Sequence, residues 1–284
     1  ACSNITSTND THFPLCYHSV FGAFVLSYHS VFLPGDTDTD THHSPYYCRY
    51  EVFLTDGNKF LMSAQKQSGS RTSNYYISAG RDNASRAKAG EDFLGKLRSN
   101  KSGVQYVLYD DGCNPEKTRK SDGPYEHAAM GPRRSRKEIA ACSYVSHMSG
   151  TDKKGPCACD VHIPKVHATT GVAEPFQPRT SEPDDQDSIL EKFRMGTTEN
   201  ICELNNVRPK WNRVVEAYVL NFQGRVTMAS VKNFQISIKG GDDTVLLQFG
   251  KVGKDTFNVD MRYPMTPFQA FGICLSCFDF HSGR

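Results

Sequence analysis

An almost wholly apolar stretch, Met265–Asp279, lies near the C-terminus of the chain and predicts a buried helix. Thr266 can cap its first N–H groups, and Pro267 suits the first helical position because that position needs no donor. Between Pro267 and the last residue, the only clearly polar side chains are Gln269 and Ser276, so no face of the helix suits water. Its length of roughly 20 Å is well short of a bilayer core of about 30 Å. We therefore expect the rest of the chain to surround this helix.

Short runs rich in β-branched and aromatic residues, separated by turn residues, precede the helix and predict antiparallel strands. Asp56-Gly57, between the first two runs, is a strong hairpin signal. So many strands favour a closed barrel, which leaves no exposed edge and encloses the helix. The predicted fold is mainly β (α+β), a closed antiparallel β-barrel around a central hydrophobic C-terminal α-helix. The eleven runs are residues 48–54, 59–66, 74–79, 104–110, 138–146, 158–166, 201–205, 217–222, 231–239, 244–252 and 256–263.

The remaining segments give weaker patterns. Residues 21–33 could form a strand pair, and residues 35–45 read as an acidic loop. Two short helices are predicted at 83–95 and 187–195, with a surface loop at 171–186. No repeat or linker divides the chain, so a single domain is expected.

Composition narrows the function classes. The 33 Lys and Arg nearly balance the 31 Asp and Glu, which does not favour a protein that coats duplex nucleic acid. No Gly-rich phosphate loop, nucleophile elbow or catalytic spacing of His with Cys or carboxylates is present, so no catalytic residue and no cofactor are predicted.

The ten cysteines are spread along the chain, and no signal peptide opens it, so we expect free thiols in the cytosol. Cys157, Cys159 and His162 are too few and too closely spaced for a typical structural zinc site, which favours thiols buried on a strand. The pair His42-His43 reads as surface. No metal site is predicted.

Five stretches resemble the C-terminal domain of Tubby-like proteins: residues 71–78, 95–100, 221–235, 246–264 and 268–279. The similarity runs from about Cys48 to Asp279, with weak patches at 111–135 and 165–195. It leaves residues 1–45 as a poorly matched N-terminal segment and assigns the barrel domain to residues 46–284. The resemblance implies about twelve strands closed around the C-terminal helix.

The same resemblance implies a phosphoinositide site, chiefly for phosphatidylinositol 4,5-bisphosphate. The positions that match the family pattern are Lys96 and Arg98 in K-L-R-S-N, Asn74 in T-S-N-Y, and Arg136 just before Glu138–Ala141. If the segment is extended, side chains two apart point to the same face, so Lys96 and Arg98 could meet one headgroup. Arg can grip a phosphate through two hydrogen bonds, whereas Lys acts as a point charge.

Two considerations weigh against a strong site. Most Lys-x-Arg pairs simply lie on the solvated surface of a protein. This chain also lacks some cations that the family often carries, at residues 65–71 and 154–158. Seven basic residues in the loop 117–137 could form a second electrostatic contact or only a solvated insertion.

The resemblance further implies a membrane-tethering adaptor in the trafficking of membrane proteins, including traffic to cilia. Its partners would be phosphoinositide headgroups and membrane-protein cargo, with no transmembrane segment of its own. It would be cytoplasmic and peripheral on the inner face of the plasma membrane, with a nuclear location also open. The alternative is a nucleic-acid-binding transcription regulator, which the near-neutral charge disfavours.

Overall fold

The computed structural model describes residues 21–32, 46–81, 92–116, 134–145, 158–180, 185–214, 216–241 and 244–282. Within these ranges the chain forms fourteen strands and two helices. In chain order they are β1 (Phe21–Phe32), β2 (Tyr46–Leu54), β3 (Phe60–Lys66), β4 (Asn74–Ser78), β5 (Phe93–Ser99), β6 (Gln105–Tyr109), β7 (Glu138–Val145), β8 (Ala158–Pro164), α1 (Ile189–Arg194), β9 (Ile201–Asn206), β10 (Lys210–Asn212), β11 (Ala217–Val219), β12 (Phe234–Ile238), β13 (Val245–Lys251), β14 (Thr256–Arg262) and α2 (Pro267–Ser282).

Twelve of the strands close into one antiparallel barrel, in the order β1-β14-β13-β12-β9-β8-β7-β6-β5-β4-β3-β2. The long strand β1 completes the ring because it pairs with β14 on one side and with β2 on the other. Strands β10 and β11 pair with each other in a separate two-stranded sheet. The predicted closed barrel around a hydrophobic C-terminal helix is confirmed.

Helix α2 occupies the barrel interior, and every residue from Gln269 to Phe280 is buried. Thr266 caps the helix as predicted, since its Oγ1 accepts from the Gln269 N–H at 3.2 Å while Gln269 Oε1 accepts from the Thr266 N–H at 2.8 Å. This reciprocal pair is a capping box. The second polar residue, Ser276, donates to the Ile273 carbonyl at 2.7 Å. Gln269 Nε2 also donates to the Ile139 carbonyl of β7 at 2.9 Å, so both polar side chains of the helix are hydrogen-bonded.

A buried carboxylate near the end of α2 ties the helix to the wall. Asp279 Oδ1 accepts from Lys66 Nζ at 2.7 Å and from the Tyr75 hydroxyl at 2.8 Å, and its Oδ2 accepts from the Tyr106 hydroxyl at 2.8 Å. Burial alone would raise the pKa of Asp279, but hydrogen bonds from Lys66, Ser73 and Tyr75 lower it below its ordinary value. The carboxylate thus holds the helix against β3, β4 and β6.

Three predicted elements differ from the structure. Residues 93–95, expected at the end of a helix, begin strand β5, whereas most of that predicted helix (83–91) lies outside the described residues. Residues 21–32 form one strand, not a strand pair. The run 217–222 supplies only β11, which lies outside the barrel. Strands β1 and β5 belong to the barrel in addition to the predicted runs, and the run 217–222 does not. The eleven predicted strands therefore become twelve in the barrel.

The helix predicted at 187–195 is confirmed as α1, whose N-cap Ser188 accepts from the Glu191 N–H at 3.1 Å. The preceding segment 171–180 has no regular structure, but its Phe176 is buried against the outside of β7. The predicted loop at 35–45, with His42-His43, lies outside the described residues. So do residues 117–133 of the predicted basic loop 117–137.

The described cysteines, seven of the ten in the chain, all have free thiols. Cys159 is buried in the main core, as expected of a strand thiol. His162 lies three positions further along β8 and therefore points to the opposite face, so these two side chains cannot ligate one metal ion. Cys157 falls outside the described residues. Among the residues described, no helix is long and apolar enough to cross a membrane.

Candidate anion-binding site

Three of the four predicted site residues share the outer face of the barrel wall. Leu97 is buried in the core, so its neighbours Lys96 and Arg98 on β5 point outward. Asn74, the first residue of β4, lies directly opposite Arg98 in the strand register. The segment is extended, as the site requires, and it brings Asn74, Lys96 and Arg98 onto one surface.

Tyr109 on β6 connects these residues to the fourth, Arg136. Tyr109 is the register partner of Lys96, whose Nζ lies 5.9 Å from the centroid of the tyrosine ring. The guanidinium carbon of Arg136 lies 4.1 Å from the same centroid. Two cations thus contact one aromatic ring, an attractive arrangement for each of them. Arg136 is only 3% exposed, so it is the least accessible of the predicted residues.

Two glycines permit these close approaches. At Gly112 a Cβ atom would lie 2.4 Å from the Arg136 Cα, and the chain is held there by the Arg136 N–H, which donates to the Cys113 carbonyl at 2.9 Å. At Gly95, where φ is +151°, a Cβ would lie 2.1 Å from the Tyr109 carbonyl oxygen. Any larger residue at either position would displace the backbone that carries Arg136 or Tyr109.

The polar groups of Arg98 and Asn74 are only partly used within the protein. Arg98 Nη2 makes one weak contact with Thr72 Oγ1 at 3.5 Å, and Arg98 has no ion pair in the part of the chain that the structure describes. Asn74 Oδ1 is buried and has no hydrogen-bond partner among those residues. A buried hydrogen-bond acceptor without a donor destabilises the folded protein unless another group donates to it.

Two titratable groups lie next to the cations. Burial raises the pKa of Tyr109 to about 12, with a further rise from Glu138 that Arg136 and Arg98 oppose, so the phenol stays neutral. Burial also raises the pKa of Glu138 to about 7, against the Ile189 N–H and Arg136. The carboxyl group beside Arg136 is therefore only about half ionised at neutral pH, which leaves the surface positively charged.

The basic loop that follows β6 contributes less charge than its sequence indicates. Arg134 forms ion pairs with both Asp110 and Asp111. Lys137 donates its backbone N–H to Asp110 at 2.8 Å, which holds this carboxylate in place. The charge of Arg134 is thus balanced by its neighbours, and the other loop cations up to residue 133 fall outside the described residues.

This barrel matches the family model described as the Tub family, over residues 36–280. The chain belongs to the Tub family. Tubby-related protein 3 of Homo sapiens is 42% identical over 220 residues, which cover 78% of this chain and 46% of that protein. Tubby protein homolog 1 of Caenorhabditis elegans is 37% identical over 235 residues, covering 82% and 52%. Tubby-related protein 1 of Homo sapiens is 40% identical over 225 residues, covering 79% and 38%. The chain thus spans about half the length, or less, of these relatives.

Sequence reasoning on this Tub-family chain missed Tyr109 as part of the site. The residue falls in a predicted strand, and alternation from the buried Leu108 would have placed it on the outer face. Its position opposite Lys96 depends on the register between β5 and β6. That register cannot be obtained from the two strands separately.

Proposed function

We propose that this domain binds phosphoinositide headgroups, chiefly phosphatidylinositol 4,5-bisphosphate, and thereby attaches peripherally to the inner face of the plasma membrane. The convergence of Lys96, Arg98 and Asn74 on one outward surface, with Arg136 behind Tyr109, is the observation that carries this proposal. Such attachment would let the domain tether membrane-protein cargo during trafficking, including traffic to cilia.

Each residue has a distinct part in this proposal. Lys96 and Arg98 lie two residues apart, about 7 Å along the strand, so each cation can address a different phosphate of one inositol ring. The Arg98 guanidinium can form a bidentate pair because it has no carboxylate partner among the described residues. The Asn74 side-chain amide can donate its hydrogens to a phosphate oxygen. Arg136, largely buried, adds positive potential from beneath.

Directed contacts matter because diffuse attraction is weak. Three cations near an anionic leaflet contribute about 3 kcal/mol, or roughly a hundredfold enrichment. Charge-assisted hydrogen bonds add about 1.5–3 kcal/mol each. Loss of both outward-facing cations, Lys96 and Arg98, should therefore remove most of the affinity for the headgroup, not only the general attraction to anionic lipid.

Flotation of the Lys96→Ala/Arg98→Ala variant with vesicles containing phosphatidylinositol 4,5-bisphosphate tests the proposal. We expect at least a hundredfold weaker binding at about 0.15 M salt, where diffuse attraction is screened beyond roughly 8 Å. The melting temperature should change little, because both side chains lie on the outer face. The Lys59→Ala/Lys165→Ala variant removes the same charge from exposed positions at the opposite end of the barrel and should bind almost as the parent does.

Binding of the Lys96→Ala/Arg98→Ala variant equal to that of the parent would exclude this site. A salt titration with duplex DNA separates the transcription-regulator alternative, since duplex binding weakens steeply as salt rises.

A further inference from the structure

The β10–β11 hairpin, Lys210–Val219, exposes apolar side chains that a small sheet in water would be expected to cover. Its strands pair with each other and with no barrel strand among those the structure describes. Trp211 is 54% exposed, and Val214, in the turn that follows β10, is 91% exposed. Large apolar groups exposed together mark a contact surface more often than scattered single residues do.

The same segment also carries three cations. Arg208, Lys210 and Arg213 are all exposed, and none forms an ion pair within the described part of the chain. From residue 207 to residue 219 the sequence contains one acid, Glu216, so the segment carries a net charge of +2. An aromatic residue with aliphatic neighbours and a basic surround is complementary to the headgroup region of an anionic bilayer, where Trp and the stems of Lys and Arg are favoured.

The hairpin emerges at the barrel end where Asn74 and Arg98 lie. Strand β9 ends at Asn206 and leads directly into it, and the antiparallel ladders place that end beside the β5–β6 turn and the start of β4. Four strand spacings separate β5 from β9, or roughly 19 Å along the wall. A flat membrane facing this end could meet both surfaces at once.

We propose that the β10–β11 hairpin is a second membrane contact, which inserts Trp211 and Val214 into the interface of an anionic bilayer while its cations meet lipid phosphates. This inference rests on the proposed function, because the headgroup site brings the hairpin to the membrane. The mixture of apolar and basic groups favours a lipid surface over a protein partner, whose matching patch would need both an apolar and an acidic face.

Trp211 is the one tryptophan of the chain, so its fluorescence reports on this hairpin alone. The parent protein is mixed with phosphatidylcholine vesicles with and without phosphatidylinositol 4,5-bisphosphate, and with vesicles whose acyl chains carry bromine near the headgroup. We expect a blue shift of the emission on the phosphoinositide vesicles, and quenching by the brominated lipid. Parent protein that floats with the vesicles while its emission stays unchanged overturns the insertion and leaves the headgroup site intact.

A pair of variants separates the two surfaces. Trp211→Ala/Val214→Ala should weaken vesicle binding by about tenfold or more, yet bind the soluble inositol trisphosphate headgroup as the parent does. Lys96→Ala/Arg98→Ala should lose both. The control Val172→Ala/Met195→Ala removes similarly exposed apolar groups, 62% and 59% exposed, away from this barrel end and should bind normally.

Each other outcome is decisive. If the hairpin variant binds vesicles as well as the parent does, the exposed patch serves another contact, such as a protein, and the proposal is wrong. Parent protein that binds no anionic vesicle overturns the hairpin proposal and the headgroup site together.

Discussion

Glu138 gives the folded protein a pH dependence that a single substitution should reveal. Its side chain is 3% exposed, and Glu138 Oε2 accepts the backbone N–H of Ile189 at 2.7 Å, which joins helix α1 to strand β7. Burial raises the pKa of Glu138 from 4.5 to about 7, with a smaller rise from Asp185, while the Ile189 hydrogen bond and Arg136 oppose it.

The folded protein binds the Glu138 proton more tightly than the unfolded protein does. The resulting contribution to the free energy of unfolding is therefore complete below about pH 4.5 and is lost as the pH rises towards 7. Each pKa unit is a tenfold change in a proton-binding constant, so the difference amounts to about 3 kcal/mol. Glu138→Gln keeps an acceptor oxygen for Ile189 and removes the titration.

His162 makes the free energy of unfolding depend on pH in the opposite direction over the same pH range. It is 1% exposed, and burial lowers its pKa from 6.5 to about 4, with Asp160 and Glu203 opposing and Lys239 assisting. Its contribution to stability is complete above pH 6.5 and is lost as the pH falls towards 4. The two effects are similar in size, so they should nearly cancel in the parent protein.

Urea unfolding between about pH 4.5 and 7 measures both effects. Glu138→Gln should lose about 3 kcal/mol more than the parent on acidification, because the His162 effect is no longer offset. His162→Gln should show the reverse slope. Other titrating groups are common to all three proteins and drop out of the comparison. A Glu138→Gln profile parallel to that of the parent would refute the reasoning.

Three further predictions follow from the core, the site and the thiols. Phe271 is 2% exposed, so Phe271→Asp places an unpaired charge in the barrel interior. This change costs several kcal/mol of a total free energy of unfolding of about 5–15 kcal/mol and should abolish cooperative unfolding in a denaturant titration. A soluble variant that unfolds cooperatively would show that the helix is not central. Tyr109→Leu should weaken vesicle flotation roughly tenfold because two cation–ring contacts are lost, while Tyr109→Phe should bind like the parent; equal binding by all three would remove the ring from the site. Thiol titration of denatured protein, protected from air, should count ten free cysteines, whereas a count of only a few would indicate disulfides.

The barrel and its helix could be predicted from sequence because both signals are extreme. A helix that is apolar on every side must be enclosed, and the many short strand patterns provide the means. The polar Gln269 could even be interpreted correctly in retrospect, since Thr266 three residues earlier completes a capping box. The apolar composition of this helix therefore predicts its buried position without any knowledge of the tertiary structure.

Strand β5 and the run 217–222 show where local pattern fails. Residues 93–99 contain Gly95 and Lys96, which are poor strand formers, yet pairing with β4 and β6 on both sides holds the segment extended. Residues 217–222 are rich in strand formers, yet only the first three pair, and only with β10. In both cases the available partner strand outweighs the intrinsic preference of the residues.

The site shows the same dependence on pairing at a finer scale. Asn100, the last residue of the K-L-R-S-N run, accepts with its Oδ1 from the N–H groups of Val104 and Gln105, both at 3.2 Å, and so shapes the turn between β5 and β6. That turn sets the register that places Tyr109 opposite Lys96. A slip of one residue would turn Tyr109 into the core and Leu108 outward, because side chains alternate along a strand. The run thus supplies the cations and also the turn that aligns the aromatic ring with them, and only its cations can be recognised from residue type.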